Sequence, residues 1–275
     1  MPRCRDAKSG ICPPSKSPAL RIFILTLGLL TGVGTSAACL PEGKTEPVTV
    51  ERVHDGDTVI LRDGRKLRVI GVDTPELAND RHPAEPLALD AREYVRDLLW
   101  QHRNKIELHY DRELFDSYQR QLAHVFLPDN RNLSEALLQK GLATTLVVPP
   151  NTRYANCYAK AENDARGRPI GLWALSRYKP VEIGQLRKTN GFRVVRGDVQ
   201  GVRRYQHADY IYVGKSGSDQ KLRIKIAAED RPYFDETFLK TLANKRVEVR
   251  GRIHHKKGRF LSRIRYPTAL QILTP

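Results

Sequence analysis

Three short segments near the start of the chain alternate apolar and polar residues with a period of two, and this pattern constrains the fold most. They are VTVERV, DTVILRD and LRVIGV, all within residues 47–72. Such alternation predicts half-buried strands, and the intervening DGD (55–57) and DGR (63–65) predict tight turns. We expect a β-hairpin followed by a third strand. The segment carries more charged residues than a simple sheet requires, which indicates a site.

The rest of the first half predicts two more strands and three helices. Apolar residues recur at helical spacing in 86–100, and strands are predicted at 104–111 and 120–127. Shorter helices are predicted at 132–142 and 157–167, each with a glycine near its end. Five strands with interspersed helices are typical of a small barrel of the OB type.

The second half repeats this order from about residue 190. Three alternating segments, a helical segment at 234–244 and two further alternating segments predict a second OB-like barrel. The fold class is therefore mainly β with helices (α+β), with two five-stranded barrels. The expected domains are a signal peptide (1–38), a first domain (39–178), a linker (179–191) and a basic second domain (192–275).

The charge of the chain is concentrated at its two ends. The formal net charge is +16, yet residues 39–180 hold 21 Lys and Arg against 21 Asp and Glu. Residues 181–275 hold 21 Lys and Arg against nine Asp and Glu. Basic clusters with interleaved aromatic residues predict nucleic-acid contact, since cations neutralise phosphates and rings stack on bases. An anionic membrane, a cell-wall polymer and a merely solvated surface are the alternatives. The interleaved aromatic residues are Tyr205, Tyr210, Tyr212, Phe260 and Tyr266.

The N-terminal charge excess accompanies a pattern typical of secretory signals. Five basic residues precede or border the apolar run 22–30, and small residues follow up to Ala38. The run is shorter than the roughly 20 residues that span a bilayer. We therefore expect export to the periplasm or the medium, and no stable membrane span in the mature chain. An uncleaved anchor and a lipoprotein acylated at Cys39 are the alternatives.

Two cysteines, Cys39 and Cys157, remain after removal of the leader. An even pair in an exported protein predicts a disulfide, with two unpaired thiols as the alternative. Two cysteines without paired spacing do not indicate a zinc site.

An acidic and basic constellation surrounds the first strands. Asp57 enters the second strand and Asp73 ends the third, so the two carboxylates are expected on one side of the sheet, where they suit Ca²⁺. Glu76 follows three residues after Asp73 and is within reach of the same place. Arg68 and Arg120 would add the positive charge that a phosphodiester displacement requires. Periodicity does not fix the face of Arg68, and ordinary turn chemistry is the alternative explanation for the acids.

Three blocks in order carry a resemblance to a known family. DGDT…LRVIGVDTPE, DSYQRQLAHVFL and NLSEALLQKGLA closely resemble the staphylococcal nuclease (thermonuclease) family over about residues 47–173. The resemblance implies a five-stranded OB barrel with three helices. It also implies Ca²⁺-dependent hydrolysis of DNA and RNA that leaves 3′-phosphates.

The resemblance assigns roles to individual residues. It implies that Asp57, Asp73 and the Thr74 carbonyl bind Ca²⁺, and that Arg68 and Arg120 bind phosphate. It further implies Glu76 as general base. Asp55 would lie behind the metal ligands and Tyr118 would contact substrate phosphate. The sequence departs from the family in having Gln119 where glycine is usual, and LVVPPN (146–151) where a tyrosine pair is usual.

These features predict an exported Ca²⁺-dependent nuclease that acts on DNA and RNA. A nucleic-acid-binding protein without catalysis is one alternative. The presence of all five acids and arginines argues against it. An envelope-associated protein that uses the basic domain is the other.

Overall fold

The structure is a computed structural model, and it describes residues 39–80, 82–187, 190–214 and 220–274. The predicted signal peptide, 1–38, lies outside the described residues. Among the residues described, no helix is long and apolar enough to cross a membrane.

The described residues of the first half form seven strands and three helices. Five of the strands close into a barrel, as the alternating pattern predicted. In chain order the elements are β1 (Glu46–Val53), β2 (Thr58–Leu61), β3 (Lys66–Val69), β4 (Gly71–Asp73), α1 (Ala88–Gln101), β5 (Lys105–His109), β6 (Gln121–Phe126), α2 (Leu133–Gln139), β7 (Thr144–Leu146) and α3 (Ala155–Arg166).

The predicted third strand is divided in two. It leaves the barrel at Gly71, whose φ of 98° lies in the left-handed region. A Cβ at this position would come within 2.2 Å of the Tyr158 ring, so only glycine fits. The continuation, β4, pairs with the unpredicted strand β7 instead of with the barrel.

The second half contains a barrel with the same connectivity. Its elements are β8 (Pro180–Glu182), β9 (Gly191–Tyr205), β10 (Ala208–Gly214), β11 (Lys221–Ala227), α4 (Glu236–Thr241), β12 (Arg246–Lys256), β13 (Arg259–Arg263) and β14 (Leu270–Ile272). Strands β9, β10, β11, β13 and β12 close on themselves, while β8 and β14 extend the sheet. The prediction of a second OB-like barrel is confirmed.

In both barrels the third strand pairs in parallel with the last one. In the first barrel β3 pairs with β6, and in the second β11 pairs with β13. The fourth strand closes each barrel against the first, through β5 with β1 and β12 with β9. Each barrel has its own apolar core.

A small aromatic cluster joins the two barrels. Trp173 and Tyr178 from the first half pack with Phe192 of β9, and the Tyr178 and Phe192 rings stack at 5.4 Å between centroids. The described residues of both barrels belong to one compact unit.

Cys39 and Cys157 form a disulfide in the structure, with their Cα atoms 5.8 Å apart. The bond joins the first described residue to α3. The bond agrees with the pairing inferred from the sequence. That the exported protein contains this disulfide stays a prediction.

Candidate active site

Asp57 lies in the turn that enters β2, and the turn holds it close to the segment after β4. The Asp55 carboxylate accepts a hydrogen bond of 3.0 Å from the Asp57 amide, which is typical of an Asx-turn. A Cβ on Gly56 would lie 2.7 Å from the Thr74 side chain and 2.9 Å from Ala91. Glycine is therefore required for this close approach.

The buried carboxylate of Asp57 is held from two sides. Its Oδ2 accepts hydrogen bonds from the Thr74 amide (2.9 Å) and the Thr74 hydroxyl (3.0 Å). Its Oδ1 faces Nη1 of Arg68 at 3.0 Å and accepts from the Thr58 hydroxyl at 3.1 Å. Burial raises the pKa of Asp57, while Arg68 and Thr74 oppose that rise. The side chain is thus fixed in place by its neighbours.

Arg68 bridges the two acids that the sequence analysis named as metal ligands. The register of β2 and β3 places Arg68 opposite Thr58, directly beside Asp57. Its Nη2 lies 3.6 Å from Oδ1 of Asp73. Sequence periodicity left the face of Arg68 open, and strand register resolves it toward the acids.

Glu76 follows Pro75 and joins the same cluster. The side chain is exposed, and its backbone carbonyl accepts a hydrogen bond from the Glu85 amide at 2.8 Å. Partial loss of hydration raises the pKa of Glu76, and the negative charges of Asp57, Asp55 and Asp73 raise it further. A raised pKa brings a carboxylate closer to the range in which it takes up a proton from water.

Arg120 lies immediately before β6 and is held by its own loop. Its Nε donates to Asp116 Oδ2 at 2.7 Å, and the other oxygen of Asp116 accepts from the amides of Tyr118 and Arg120. The guanidinium lies 5.6 Å from the centre of the Tyr118 ring, which is 80% exposed. In the described structure these contacts join Arg120 to Asp116 and Tyr118 rather than to the carboxylates around Asp57.

The donor set around Asp57 and Asp73 suits a hard divalent cation. Carboxylate and carbonyl oxygens are the ligands that Ca²⁺ takes in proteins. A positive group, the Arg68 guanidinium, already lies against both acids. The negative charges of the neighbouring aspartates repel that of Glu76 and thereby raise its pKa. A bound cation would reduce this repulsion.

A second group of possible metal ligands does not form a site. Among the described residues, only Cys39, Glu135 and Cys157 place three such side-chain atoms within 4.8 Å of one another. The two sulfurs are bonded to each other, so neither offers a thiolate. The carboxylates around Asp57 are spaced more widely, with Arg68 between them.

The sequence analysis missed one member of the cluster. Arg252 of β12 donates from Nη2 to Asp73 Oδ2 at 3.0 Å, across 179 residues of sequence. No local pattern identifies such a residue, because the contact depends on how the second barrel packs against the first.

Comparison with known proteins identifies the first barrel. Residues 66–175 match the family described as "Staphylococcal nuclease homologue". The thermonuclease of Staphylococcus intermedius is 34% identical over 158 residues, which cover 56% of this chain and 92% of the relative. This chain belongs to the staphylococcal nuclease family. Two further family relatives are the thermonuclease of Staphylococcus hyicus and endonuclease YncB of Bacillus subtilis. The former is 32% identical over 157 residues (56% of this chain, 91% of the relative) and the latter 33% over 136 (48% and 63%).

The family match covers most of the predicted site and none of the second barrel. Arg68, Asp73, Thr74, Glu76, Tyr118 and Arg120 lie within residues 66–175, and Asp55 and Asp57 precede them. Arg252 lies outside the matched residues. The roles assigned to individual residues by resemblance stay predictions.

Proposed function

We propose that this chain is an exported, Ca²⁺-dependent nuclease that hydrolyses phosphodiester bonds of DNA and RNA and leaves 3′-phosphates. The observation that carries the proposal is the contact of Arg68 with both Asp57 and Asp73, with Glu76 beside these acids, in a barrel of the staphylococcal nuclease family. Relatives with the names thermonuclease and endonuclease support nuclease activity.

In the proposed site Asp57, Asp73 and the Thr74 carbonyl would hold Ca²⁺. The ion would neutralise charge that develops on the phosphoryl oxygens. Arg68 and Arg120 bind the phosphate through their planar N–H groups. The exposed Tyr118 ring beside Arg120 extends this phosphate-binding surface.

Glu76 acts as the general base in the proposed reaction. Its carboxylate takes a proton from a water molecule whose oxygen attacks phosphorus. The new O–P bond forms as the bond from phosphorus to the 5′-oxygen breaks. The leaving oxygen takes a proton from solvent to become a 5′-hydroxyl, and Glu76 releases the proton that it took. The products are a 3′-phosphate and a 5′-hydroxyl end. The raised pKa of Glu76 supports this role.

We propose residues 39–178 as the catalytic domain, 179–191 as the linker and 192–275 as the accessory domain. The linker includes β8, which pairs with β9 of the second barrel. The accessory domain would aid nucleic-acid binding. The excess of 21 Lys and Arg over nine Asp and Glu in residues 181–275 supports this role.

One face of the second barrel combines cations with half-buried rings. Arg203 lies 5.9 Å from the Tyr212 ring centre, and Arg223 lies 5.1 Å from that of Tyr210. A groove of about 430 Å³ borders Arg203, Tyr212, Lys221 and Arg223. Phe260 is buried in the core and does not belong to this face.

Export is supported by the N-terminal signal pattern and by the Cys39–Cys157 bond. Disulfides persist in oxidising compartments. In this bond Cys39 is not a free thiol and cannot be acylated. The bond therefore favours an exported protein without a lipid anchor over a lipoprotein anchored through Cys39.

Digestion of end-labelled single- and double-stranded DNA and of RNA by the purified mature protein tests the proposal. We expect cleavage with Ca²⁺, loss of cleavage with a chelator, and products that a phosphatase acts on at the 3′ end. Binding without cleavage at every divalent ion tried would establish a non-catalytic nucleic-acid-binding protein instead.

The role of the accessory domain has a separate test. Replacing Tyr210 and Tyr212 with Ala should weaken binding to single-stranded DNA by about 1–3 kcal/mol per ring, the usual loss for a stacked base. Tyr233, which contacts Tyr266 instead, provides the matched control. Unchanged DNA binding, with retained binding to envelope fractions, would favour the envelope-associated alternative.

A further inference from the structure

The second barrel places an arginine in the proposed active site of the first. Arg252 Nη2 lies 3.0 Å from Oδ2 of Asp73, while Arg68 Nη2 lies 3.6 Å from Oδ1. The two oxygens of Asp73 therefore face guanidinium groups from different barrels. Neither residue identity nor family match assigns a role to Arg252.

The position of Arg252 is fixed by its strand. Alternate residues of a strand share one face, and Glu248, Arg250 and Arg252 follow this rule along β12. Glu248 binds Arg166 of α3 at 2.5 Å, and Arg250 binds Asn163 of α3 at 2.6 Å. The same face of β12 thus contacts the first barrel at three successive points, of which Asp73 is the last.

The register of β12 against β9 supports the same position. Arg252 pairs with Phe192, whose ring stacks on Tyr178 in the aromatic cluster between the barrels. At Arg252 one edge of β12 pairs with β9, and from Ile253 onward its other edge pairs with β13. Arg252 does not reach Asp73 from a free loop.

The surroundings of Arg252 are acidic. Besides Asp73, its positive charge acts on Glu76, whose pKa it lowers against the rise caused by burial and by the other acids. The side chain remains 52% exposed. A guanidinium carries five N–H donors, and within the described structure Nη2 alone has an acidic partner, so further donors remain for phosphate oxygens.

We propose that Arg252 is a specificity-determining residue of the nuclease site, which weakens binding of Ca²⁺ alone and strengthens binding of a polynucleotide phosphate next to Asp73. This inference rests on the proposed function. The positive charge of Arg252 repels a bare cation at Asp73 and attracts a polynucleotide, which is a polyanion. The second barrel thereby becomes part of the site rather than only an accessory surface.

The expected effects of removing Arg252 on Ca²⁺ binding and on polynucleotide binding have opposite signs, so the two measurements together test the inference. In the full chain carrying Glu76→Gln, which slows cleavage, Arg252→Met should tighten binding of Ca²⁺ alone by roughly three- to tenfold. The same change should weaken binding of a labelled single-stranded DNA 12-mer in saturating Ca²⁺. It should also make the negative slope of log affinity against log salt less steep by about 0.7, the value for one phosphate contact. Calorimetry with Ca²⁺ and fluorescence anisotropy with the 12-mer measure these quantities.

Arg246→Met is the matched control. It removes the same charge from the same strand, but Arg246 pairs with Glu182 and Asp198. We expect no change in Ca²⁺ affinity for this variant. Arg252→Lys keeps the charge and should restore the Ca²⁺ affinity of the parent. Midpoints of thermal unfolding establish that the variants are folded.

The outcomes separate the inference from the proposed function. Failure of the Glu76→Gln parent to bind Ca²⁺ would overturn the proposed function and this inference with it. A parent that binds both probes while Arg252→Met changes neither would overturn the inference alone. Parallel weakening of both probes would also overturn it, because that result indicates loss of structure around Asp73.

Discussion

At the residue scale, the proposal assigns different tasks to the acids and to the two arginines of the first barrel. Asp57 is held by Thr74, Thr58 and Arg68, whereas Glu76 is exposed and close to three other carboxylates. The held acid suits a metal ligand and the exposed one suits proton transfer. Substitutions at these positions should therefore have separable effects.

Glu76→Gln removes the proposed base and keeps the size of the side chain. We expect kcat for DNA cleavage to fall by about 10²- to 10⁴-fold, the usual contribution of a positioned base, with Ca²⁺ affinity retained. Arg120→Ala should lower kcat by orders of magnitude as well. Glu93→Gln on α1, an acid that pairs with Arg92 and Arg96, provides the control. Near-normal turnover in both variants would reassign the site.

Gln119 occupies a backbone position that favours glycine. Its φ is 61°, in the left-handed region that costs a non-glycine residue roughly 1–2 kcal/mol. Gln119→Gly should raise the free energy of unfolding by about 0.5–1 kcal/mol, measured in urea, because relief of strain exceeds the added freedom of the unfolded chain. Ser117→Gly, in the same loop but without a positive φ, should not stabilise. Equal effects of the two changes would contradict this account of the loop.

At the element scale, two buried histidines connect the barrel wall to α3. His124 of β6 contacts the Tyr158 hydroxyl at 2.9 Å, and His109 of β5 contacts that of Tyr154 at 2.8 Å. Burial lowers the pKa of both histidines below 6.5. The nearby Asp111, with Oδ2 3.5 Å from His124 Nε2, only partly opposes this effect for His124.

The sign of the resulting pH dependence follows from these pKa values. The unfolded histidines bind protons as the pH falls through 6.5, and the folded ones do so only at lower pH. The contribution of the histidines to the free energy of unfolding is therefore fully present above about pH 6.5. It is lost as the pH falls toward their pKa values in the folded protein, by up to about 1.4 kcal/mol per pH unit for each histidine. His124→Gln should reduce the slope of unfolding free energy between pH 6.5 and 5. An unchanged slope would show that His124 does not titrate in this way.

Sequence reasoning succeeded for the elements whose pattern is local. Most strands of both barrels alternate apolar and polar residues in sequence, and α2 and α3 end near Gly141 and Gly167, so both barrels were predictable. The short strands β7, β8 and β14 were missed, and β4 was predicted only as the end of the third strand. Each has only three residues and exists because a partner strand lies beside it, which no local pattern encodes.

The candidate site was predictable only in part, for the same physical reason. The DGD turn and the run from Asp73 to Glu76 lie close together in sequence, and so the acids were identified. The face of Arg68 required the register of β2 against β3. Arg252 required the packing of one barrel on the other.

At the scale of the whole molecule, charged contacts between the barrels are buried as well as exposed. Arg250 and Glu162 are 7% and 2% exposed, with Nε and Oε2 3.5 Å apart. Arg250 also donates to Asn163 Oδ1 and to the carbonyl of Thr268. These contacts make the two barrels depend on each other for stability.

Arg250→Met tests this dependence. It leaves Glu162 buried without its partner and should lower the free energy of unfolding by about 3–5 kcal/mol. Adding Glu162→Gln should recover much of that loss. Arg246→Met removes an exposed pair and should cost less than about 1 kcal/mol. Separate unfolding transitions of the two barrels in the unsubstituted protein would contradict the account.

The central claim is that Asp57 and Asp73 hold a divalent cation that a phosphodiesterase site requires. The initial rate of single-stranded DNA cleavage as a function of free Ca²⁺ tests it most directly, in the unsubstituted protein and in Asp57→Asn. The account predicts saturable activation by Ca²⁺ in the former and loss of that activation in the latter. Cleavage that does not depend on Ca²⁺, or that is retained in Asp57→Asn with the same Ca²⁺ dependence, would contradict it.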